Sequence, residues 1–88
     1  MSPQDIEDEL YKLNTVVERL KYGVNTCDMK TIIINSRYID SIMDNLRPNL
    51  KSLTDKQKDL HNNLYTESTV QFDKLYKGRC ACSPVKNV

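Results

Sequence analysis

Apolar side chains recur between residues 6 and 27 at alternating intervals of four and three positions. This spacing keeps them on one face of an α-helix, in the narrow stripe typical of helices that pack together as in a coiled coil. Such side chains stabilise a helix only when another surface covers them. The stripe therefore predicts a long helix in contact with other helices, and its members are Ile6, Leu10, Leu13, Val17, Leu20, Val24 and Cys27.

The first helix is predicted at about residues 4–24. Ser2 and Asp5 have the spacing of a capping box, and Pro3 suits the first helical turn. A break is expected close to Gly23–Asp28, because Gly23 weakens the helix by about 1 kcal/mol relative to alanine.

The second and third helices are predicted at about residues 28–46 and 55–77. Three consecutive isoleucines, Ile32–Ile34, lie inside a longer pattern with a period of 3.6 residues, which indicates a helix rather than a strand. Pro48 either breaks or kinks the chain after the second helix, since proline disfavours helical geometry in the residue before it. The third helix begins with a capping box at Thr54 and stops near Gly78.

These elements define an all-α fold of three helices, arranged as an antiparallel helical bundle or as a coiled-coil subunit. Residues 1–78 are expected to form a single helical domain, and residues 79–88 a flexible tail that contains cysteines. At 88 residues the chain has room for one domain with a thin core.

Two ways of covering the apolar faces are compatible with the pattern. The three helices can close a core within one chain, or they can complete it against a protein partner or a second copy. Asn35, Gln57 and Gln71 favour the second, because polar side chains on a seam set register and partner choice. The residues expected in the core or interface are Ile6, Leu10, Leu13, Val17, Leu20, Val24, Ile32, Ile39, Ile42, Leu46, Leu60, Leu64, Phe72 and Leu75.

The charge distribution argues against several classes of partner. Thirteen basic and twelve acidic residues are interspersed along the chain, without a basic block that would bind nucleic acid. No segment has the run of about 20 apolar residues that a membrane span requires. The first ten residues are polar and acidic, unlike a secretory signal, so an intracellular, cytoplasmic location is expected.

Three cysteines fit that location, since an odd number indicates no disulfide framework. Cys27 falls on the apolar stripe and is expected to be a small buried hydrophobe. Cys80 and Cys82 lie next to basic residues that favour thiolates, so redox exchange or acylation is an alternative to an inert tail, which the sequence favours. A single C-x-C pair with His61 falls short of a zinc framework, so no metal and no cofactor are expected.

A polar pair on the second helix is the strongest catalytic candidate. Ser36 and Asp40 lie four residues apart and therefore share one helix face, beside Ile39, Ile42 and Met43. Over residues 6–46 the chain resembles the small sporulation-regulatory aspartyl-phosphate phosphatases, which are helical hairpins.

The resemblance implies a role for three side chains. Ser36, Arg37 and Asp40 would dock on a response-regulator receiver and orient water for attack on its aspartyl phosphate, while the receiver supplies the magnesium. No Gly-rich phosphate loop or nucleophile elbow accompanies them. The function predicted first is therefore a non-enzymatic helical subunit for protein–protein interaction in assembly, tethering or regulation, and the receiver phosphatase is the alternative.

Overall fold

The computed structural model describes residues 2–77 as three α-helices and a short 3-10 helix. The α-helices are α1 (Pro3–Thr26), α2 (Met29–Leu46) and α3 (Asp55–Tyr76), and the 3-10 helix spans Arg47–Ser52. This confirms the predicted all-α fold of three helices. Met1 and residues 78–88, which include the predicted tail and the helix stop at Gly78, lie outside the described residues.

Two of the helices begin with reciprocal capping boxes. In α1 the Ser2 hydroxyl accepts from the Asp5 backbone N–H at 3.2 Å, and the Asp5 carboxylate accepts from the Ser2 N–H at 3.2 Å. In α3 the Thr54 hydroxyl accepts from the Gln57 N–H at 3.1 Å, and the Gln57 side-chain oxygen accepts from the Thr54 N–H at 2.9 Å. Each box satisfies two backbone donors that helix geometry leaves unpaired.

The break between α1 and α2 falls at Cys27 and Asp28, within the predicted range Gly23–Asp28, and Gly23 is a packing residue rather than a helix end. Gly23 is buried inside α1, and a Cβ atom there would lie 3.1 Å from side-chain atoms of both Thr31 and Ile32. The α1 helix ends instead at a left-handed Cys27 (φ 54°), where the Asp28 N–H donates to the Gly23 carbonyl at 2.9 Å. The glycine therefore lets α2 start close against α1.

Both α2 and α3 pack on α1. The α2 helix runs antiparallel to α1, since Gly23 near the end of α1 meets Ile32 near the start of α2. The α3 helix runs parallel to α1: Gln57 donates to Glu7 at 2.8 Å near one end, and Lys21 pairs with Glu67 at 3.2 Å further along. The three helices therefore alternate in direction along the chain, with α2 antiparallel to α1 and α3 parallel to α1.

The stripe of α1 is covered within the chain. Leu13, Val17 and Leu20 have no exposed surface, and they join residues of α2 and α3 in one apolar cluster. Of the two ways of covering the stripe, the structure therefore has the closed core within one chain. The cluster consists of Ile6, Leu10, Leu13, Val16, Val17, Leu20, Val24, Ile32, Ile39, Ile42, Leu46, Leu53 and Leu64, with Met43, Phe72 and Leu75 partly buried against it.

Of the two places predicted for Leu60, core or interface, the structure rules out the core. Its side chain is 40% exposed, whereas Leu53, from the connection before α3, is buried in the apolar cluster. Leu53 fills the core near the start of α3, and Leu60 is left at the edge of the packed face. The buried face of α3 is otherwise small and partly polar, since it carries Leu64, Ser68 and Gln71.

Replacing Leu13 by alanine should lower the free energy of unfolding by about 2–5 kcal/mol, because a fully buried leucine leaves a cavity. The matched change Leu60→Ala should cost less than about 1 kcal/mol, since that side chain is largely in water. Urea titrations followed by helical circular dichroism compare the two variants. Equal losses at both positions would show that α1 is not the centre of the core.

Candidate functional site

A groove between α2 and α3 is lined in part by side chains that also pack in the core. It encloses about 430 Å³. Both helices pack against α1. Along the groove they are separated from each other, and each contributes one wall. The lining residues are Ile39, Asp40, Met43 and Asp44 on α2, Arg47 at the start of the 3-10 helix, and Tyr65, Ser68, Thr69 and Phe72 on α3.

The floor of the groove is apolar. Ile39 is buried, and Met43 and Phe72 are half-buried against the core cluster while also lining the groove. Ser68 is buried and donates its hydroxyl to the Tyr65 carbonyl at 2.8 Å, so it offers little hydrogen-bonding capacity. The floor therefore suits an apolar side chain better than a polar ligand.

The rim of the groove is polar and carries an acidic excess. Arg47 pairs with Asp44 at 3.0 Å, with both side chains largely exposed. Among residues 2–77, no ion pair is formed by Asp40, which lines the same groove. One uncompensated carboxylate thus stands beside the apolar floor.

A second depression, of about 420 Å³, lies between α1 and α2. Its lining is mostly charged and polar, and Lys12 and Glu9 approach to 3.4 Å within it. The Glu9 Oε2 atom is buried without a hydrogen-bond donor in the described part of the chain. Apart from the buried Val16 and Ile42 its lining is charged or polar, so this depression suits a polar ligand better than an apolar side chain.

The three residues of the phosphatase resemblance lie on α2, where Asp40 follows Ser36 and Arg37 by about one turn. Ser36 is half-buried and donates its hydroxyl to the Ile32 carbonyl at 2.7 Å. Arg37 and Asp40 are exposed, and Asp40 reaches the rim of the groove. The serine hydroxyl is thus engaged with the helix backbone, and the exposed Asp40 is available to a partner.

The polar residues predicted on the seams take different roles. Asn35 is buried and donates to the Thr31 carbonyl at 2.7 Å. Gln57 caps α3 and bridges to Glu7, as described above. Gln71 is buried, and its side-chain oxygen has no donor among residues 2–77.

The expectation that Cys27 is a small buried hydrophobe was wrong. The residue is half-buried at the α1–α2 turn, and it is disulfide-bonded. Cys80 and Cys82, the predicted redox or acylation residues, lie outside the described residues.

His61 and the acidic residues form no metal site in the described segment. Within residues 2–77 there is no group of three or more histidine, cysteine or acidic side chains placed to hold a metal ion. His61 is half-buried, and its Nδ1 atom lies 3.4 Å from the Asn62 side-chain oxygen. Nor does this segment contain a helix with the length and apolar character needed to cross a membrane.

Comparisons with protein-family models, with curated proteins and with solved structures found no match to this chain. The site must therefore be interpreted from its own geometry.

Sequence reasoning did not find the groove. Tyr65 and Thr69 line it, yet both are ordinary exposed residues in the pattern of α3. Their role depends on how far α3 stands from α2, and no local signal encodes that distance. The partly buried Phe72 was the one groove residue on α3 that the apolar pattern singled out.

Asp28, next to Cys27, caps α2, and its carboxyl group has a lowered pKa. Its carboxylate accepts from the Thr31 hydroxyl at 2.7 Å and from the Thr31 N–H at 3.3 Å. These hydrogen bonds, the side-chain one first, hold the pKa of Asp28 below its ordinary value of 3.8. A lowered pKa contributes stability that is fully present above pH 3.8 and is lost as pH falls through the folded-state pKa.

An Asp28→Asn variant should therefore lose less stability than the wild type on acidification below pH 3.8. Asparagine still caps the helix but does not titrate, which isolates the charge from the cap. Urea midpoints measured at a series of pH values on either side of 3.8 provide the comparison. Parallel curves for the two proteins would contradict the assigned role of the carboxylate.

Proposed function

We infer that this protein is a non-enzymatic helical interaction subunit whose α2–α3 groove holds an amphipathic helix from a protein partner. The observation that supports this function is the groove floor, where Ile39, Met43 and Phe72 belong to or pack against the core and yet face an open space. A fourth helix laid there would complete a four-helix bundle. Such a subunit acts in assembly, tethering or regulation of a larger complex.

The dimensions of the groove suit a helix. One wall runs from Ile39 on α2 to Arg47 at the start of the 3-10 helix, about 12 Å along the axis. Two turns of a docking helix cover that length and place side chains at positions i, i+3 or i+4, and i+7 toward the floor. An extended peptide would need an exposed strand edge, and residues 2–77 contain no strand.

The charges on the rim of the groove determine which charged residues the partner helix should carry beside its apolar stripe. Because Arg47 is paired with Asp44, the uncompensated charge beside the floor is the Asp40 carboxylate. A helix with lysine or arginine next to its apolar stripe matches this rim, and a helix with acidic flanks is repelled. The occupant is therefore an amphipathic helix with basic flanks, rather than a second copy of this chain.

A synthetic amphipathic peptide of about four helical turns, with leucines at helical spacing and flanking lysines, should bind with amide NMR shifts that map to the groove. The same peptide with glutamate flanks should bind more weakly. Asp40→Lys should weaken binding of the lysine peptide about fivefold, since reversing one rim charge is worth about 1 kcal/mol.

The matched control is Asp59→Lys, which reverses an exposed charge of α3 outside the groove. It should leave the affinity for the lysine peptide nearly unchanged. Shifts that map to another face, or equal binding of both peptides, would contradict the groove as the site. The mass of the chain in solution is measured by light scattering on a dilution series. A dimer whose interface covers the groove would contradict the proposed partner helix, because the occupant would be a second copy.

The receiver-phosphatase function is the second candidate, and the exposure of Asp40 favours it. This carboxylate lies at the surface one turn from Ser36, on a helix that forms an antiparallel hairpin with α1. A receiver docked on α2 would meet Asp40 and Arg37 together. The chemistry would be the positioning of water, without a nucleophile from this chain.

Under this second function, the purified chain should accelerate loss of phosphate from a phosphorylated receiver of the same organism in the presence of magnesium. Asp40→Ala should abolish the acceleration, and Asp59→Ala should not, because Asp59 lies elsewhere on the surface. Release of inorganic phosphate is the measurement. Equal rates with and without the chain, for every receiver tried, would leave only the interaction function.

A further inference from the structure

Two depressions between α1 and α2 join into one furrow. The depression of about 420 Å³ described above is joined by another of about 390 Å³, which is lined by Thr31 of α2 and by residues of α1. Arg19 lines both, so the two depressions meet at this side chain. The combined feature, the α1–α2 furrow, runs from Glu9 to Tyr22 on α1 and from Thr31 to Asn45 on α2.

The furrow is separate from the α2–α3 groove. It is about 20 Å long, since α1 rises about 1.5 Å per residue between Glu9 and Tyr22. Among residues 2–77, none of those on α3 lines the furrow, and it shares no lining residue with the groove. A ligand of the furrow therefore leaves the groove free, and its binding does not rest on the function proposed above.

Arg19 carries the uncompensated charge of the furrow. Of the two carboxylates in the lining, Glu9 pairs with Lys12 at 3.4 Å. The other, Glu18, pairs at 3.6 Å with Lys21, which lies outside the furrow. Arg19 is exposed and forms no ion pair within residues 2–77. The point where the depressions meet therefore has a positive charge that an anionic ligand can neutralise.

Two exposed tyrosines flank Arg19. Tyr22 lies on the same face of α1, three residues further along, and lines one depression together with Arg19. Tyr38 of α2 lines the other depression together with Arg19. Both tyrosines are more than half exposed, although their rings are large and apolar. Since tyrosine and arginine are among the residues that contribute most to binding in protein interfaces, this cluster has the composition of an interface centre.

The rest of the lining suits a peptide backbone. The side chains of Asn14, Ser41 and Asn45 are exposed and form no hydrogen bond within residues 2–77. They can therefore bond the N–H and C=O groups of an extended segment, of which about six residues have the length of the furrow. A helix pairs these backbone groups internally and would leave the amides and the hydroxyl unused.

We propose that the α1–α2 furrow binds an extended acidic segment of another protein, with one carboxylate of that segment paired to Arg19 between Tyr22 and Tyr38. The planar guanidinium group donates two parallel hydrogen bonds to a carboxylate. Apolar neighbours of the acidic residue pack against the two tyrosine rings. The remainder of the segment follows the furrow along its amide and hydroxyl groups.

The probe is a fluorescently labelled peptide of about eight residues, with a central Leu-Glu-Leu sequence and serines on either side. Fluorescence anisotropy measures its affinity for the full chain, and amide NMR shifts should map to the furrow. Replacing the central glutamate of the peptide by glutamine should weaken binding about fivefold, because one partly exposed ion pair is lost. The affinity of the glutamate peptide should also fall as the salt concentration rises.

Arg19→Gln should weaken binding of the glutamate peptide by about the same factor of five. The matched control is Arg37→Gln, which should have no effect, since Arg37 is an exposed arginine of α2 that lines neither depression. The glutamine peptide should bind Arg19→Gln and the wild type equally, because the ion pair is already absent. A purely structural role of Arg19 would instead weaken the binding of both peptides.

Tyrosine variants test the two sides of the cluster. Tyr22→Ala and Tyr38→Ala should each weaken binding of the glutamate peptide about fivefold or more. Tyr11→Ala should leave it unchanged, because Tyr11 is an exposed tyrosine of α1 that lines neither depression. All three side chains are largely in water, so the variants should keep the melting temperature and the helical circular dichroism of the wild type.

The furrow and the groove can fail independently. Asp40→Lys, which alters the groove, should leave binding of the glutamate peptide unchanged, and Arg19→Gln should leave binding of the lysine peptide unchanged. Equal affinities of the glutamate and glutamine peptides for the wild type would overturn the furrow proposal, as would NMR shifts that map elsewhere. So would Arg19-dependent binding of inorganic phosphate, or of vesicles of phosphatidylserine and phosphatidylcholine, without any binding of the peptide.

Discussion

The buried stripe of α1 is the interaction on which the rest of the structure depends. Leu13, Val17 and Leu20 are completely buried. Both α2 and α3 bury their apolar faces mainly against α1. The stripe is narrow and built of medium-sized side chains, so it gives each neighbour a limited contact area. Since α2 and α3 are each positioned by α1 rather than by one another, the space between them is determined indirectly. The groove is a consequence of this arrangement.

The two neighbours of α1 are held in different ways. The α2 helix fits closely, because Gly23 allows Ile32 and Thr31 to approach the backbone of α1, and four large aliphatic residues of α2 are buried. The α3 helix buries one leucine together with Ser68 and Gln71, and its long-range polar contacts with α1 are the pairs to Glu7 and Lys21. These pairs are partly exposed, and exposed pairs contribute little stability. The α3 helix is therefore the weakest element of the bundle.

The sequence was sufficient to predict the helices and the central stripe, because the period of the apolar residues and the capping boxes are local signals. It was insufficient at positions where one residue serves two purposes. Gly23 looks like a helix end in the sequence, and only the closeness of α2 shows that it is a packing residue. Leu60 follows the helical pattern, but Leu53 from the connection takes its place in the core. The groove depends on the separation of two helices, which no local pattern contains.

The last turns of α3 are the least firmly held part of this helix. A helix with a small apolar face is held least securely where its contacts are fewest, and the pairs of α3 with α1 involve Gln57 near its start and Glu67 at its middle. Its last turns have only the partly buried Phe72 and Leu75 as apolar contacts, apart from the polar Gln71. The same sparse contacts border the groove at Phe72, so whatever fixes the end of α3 also fixes one wall of the groove.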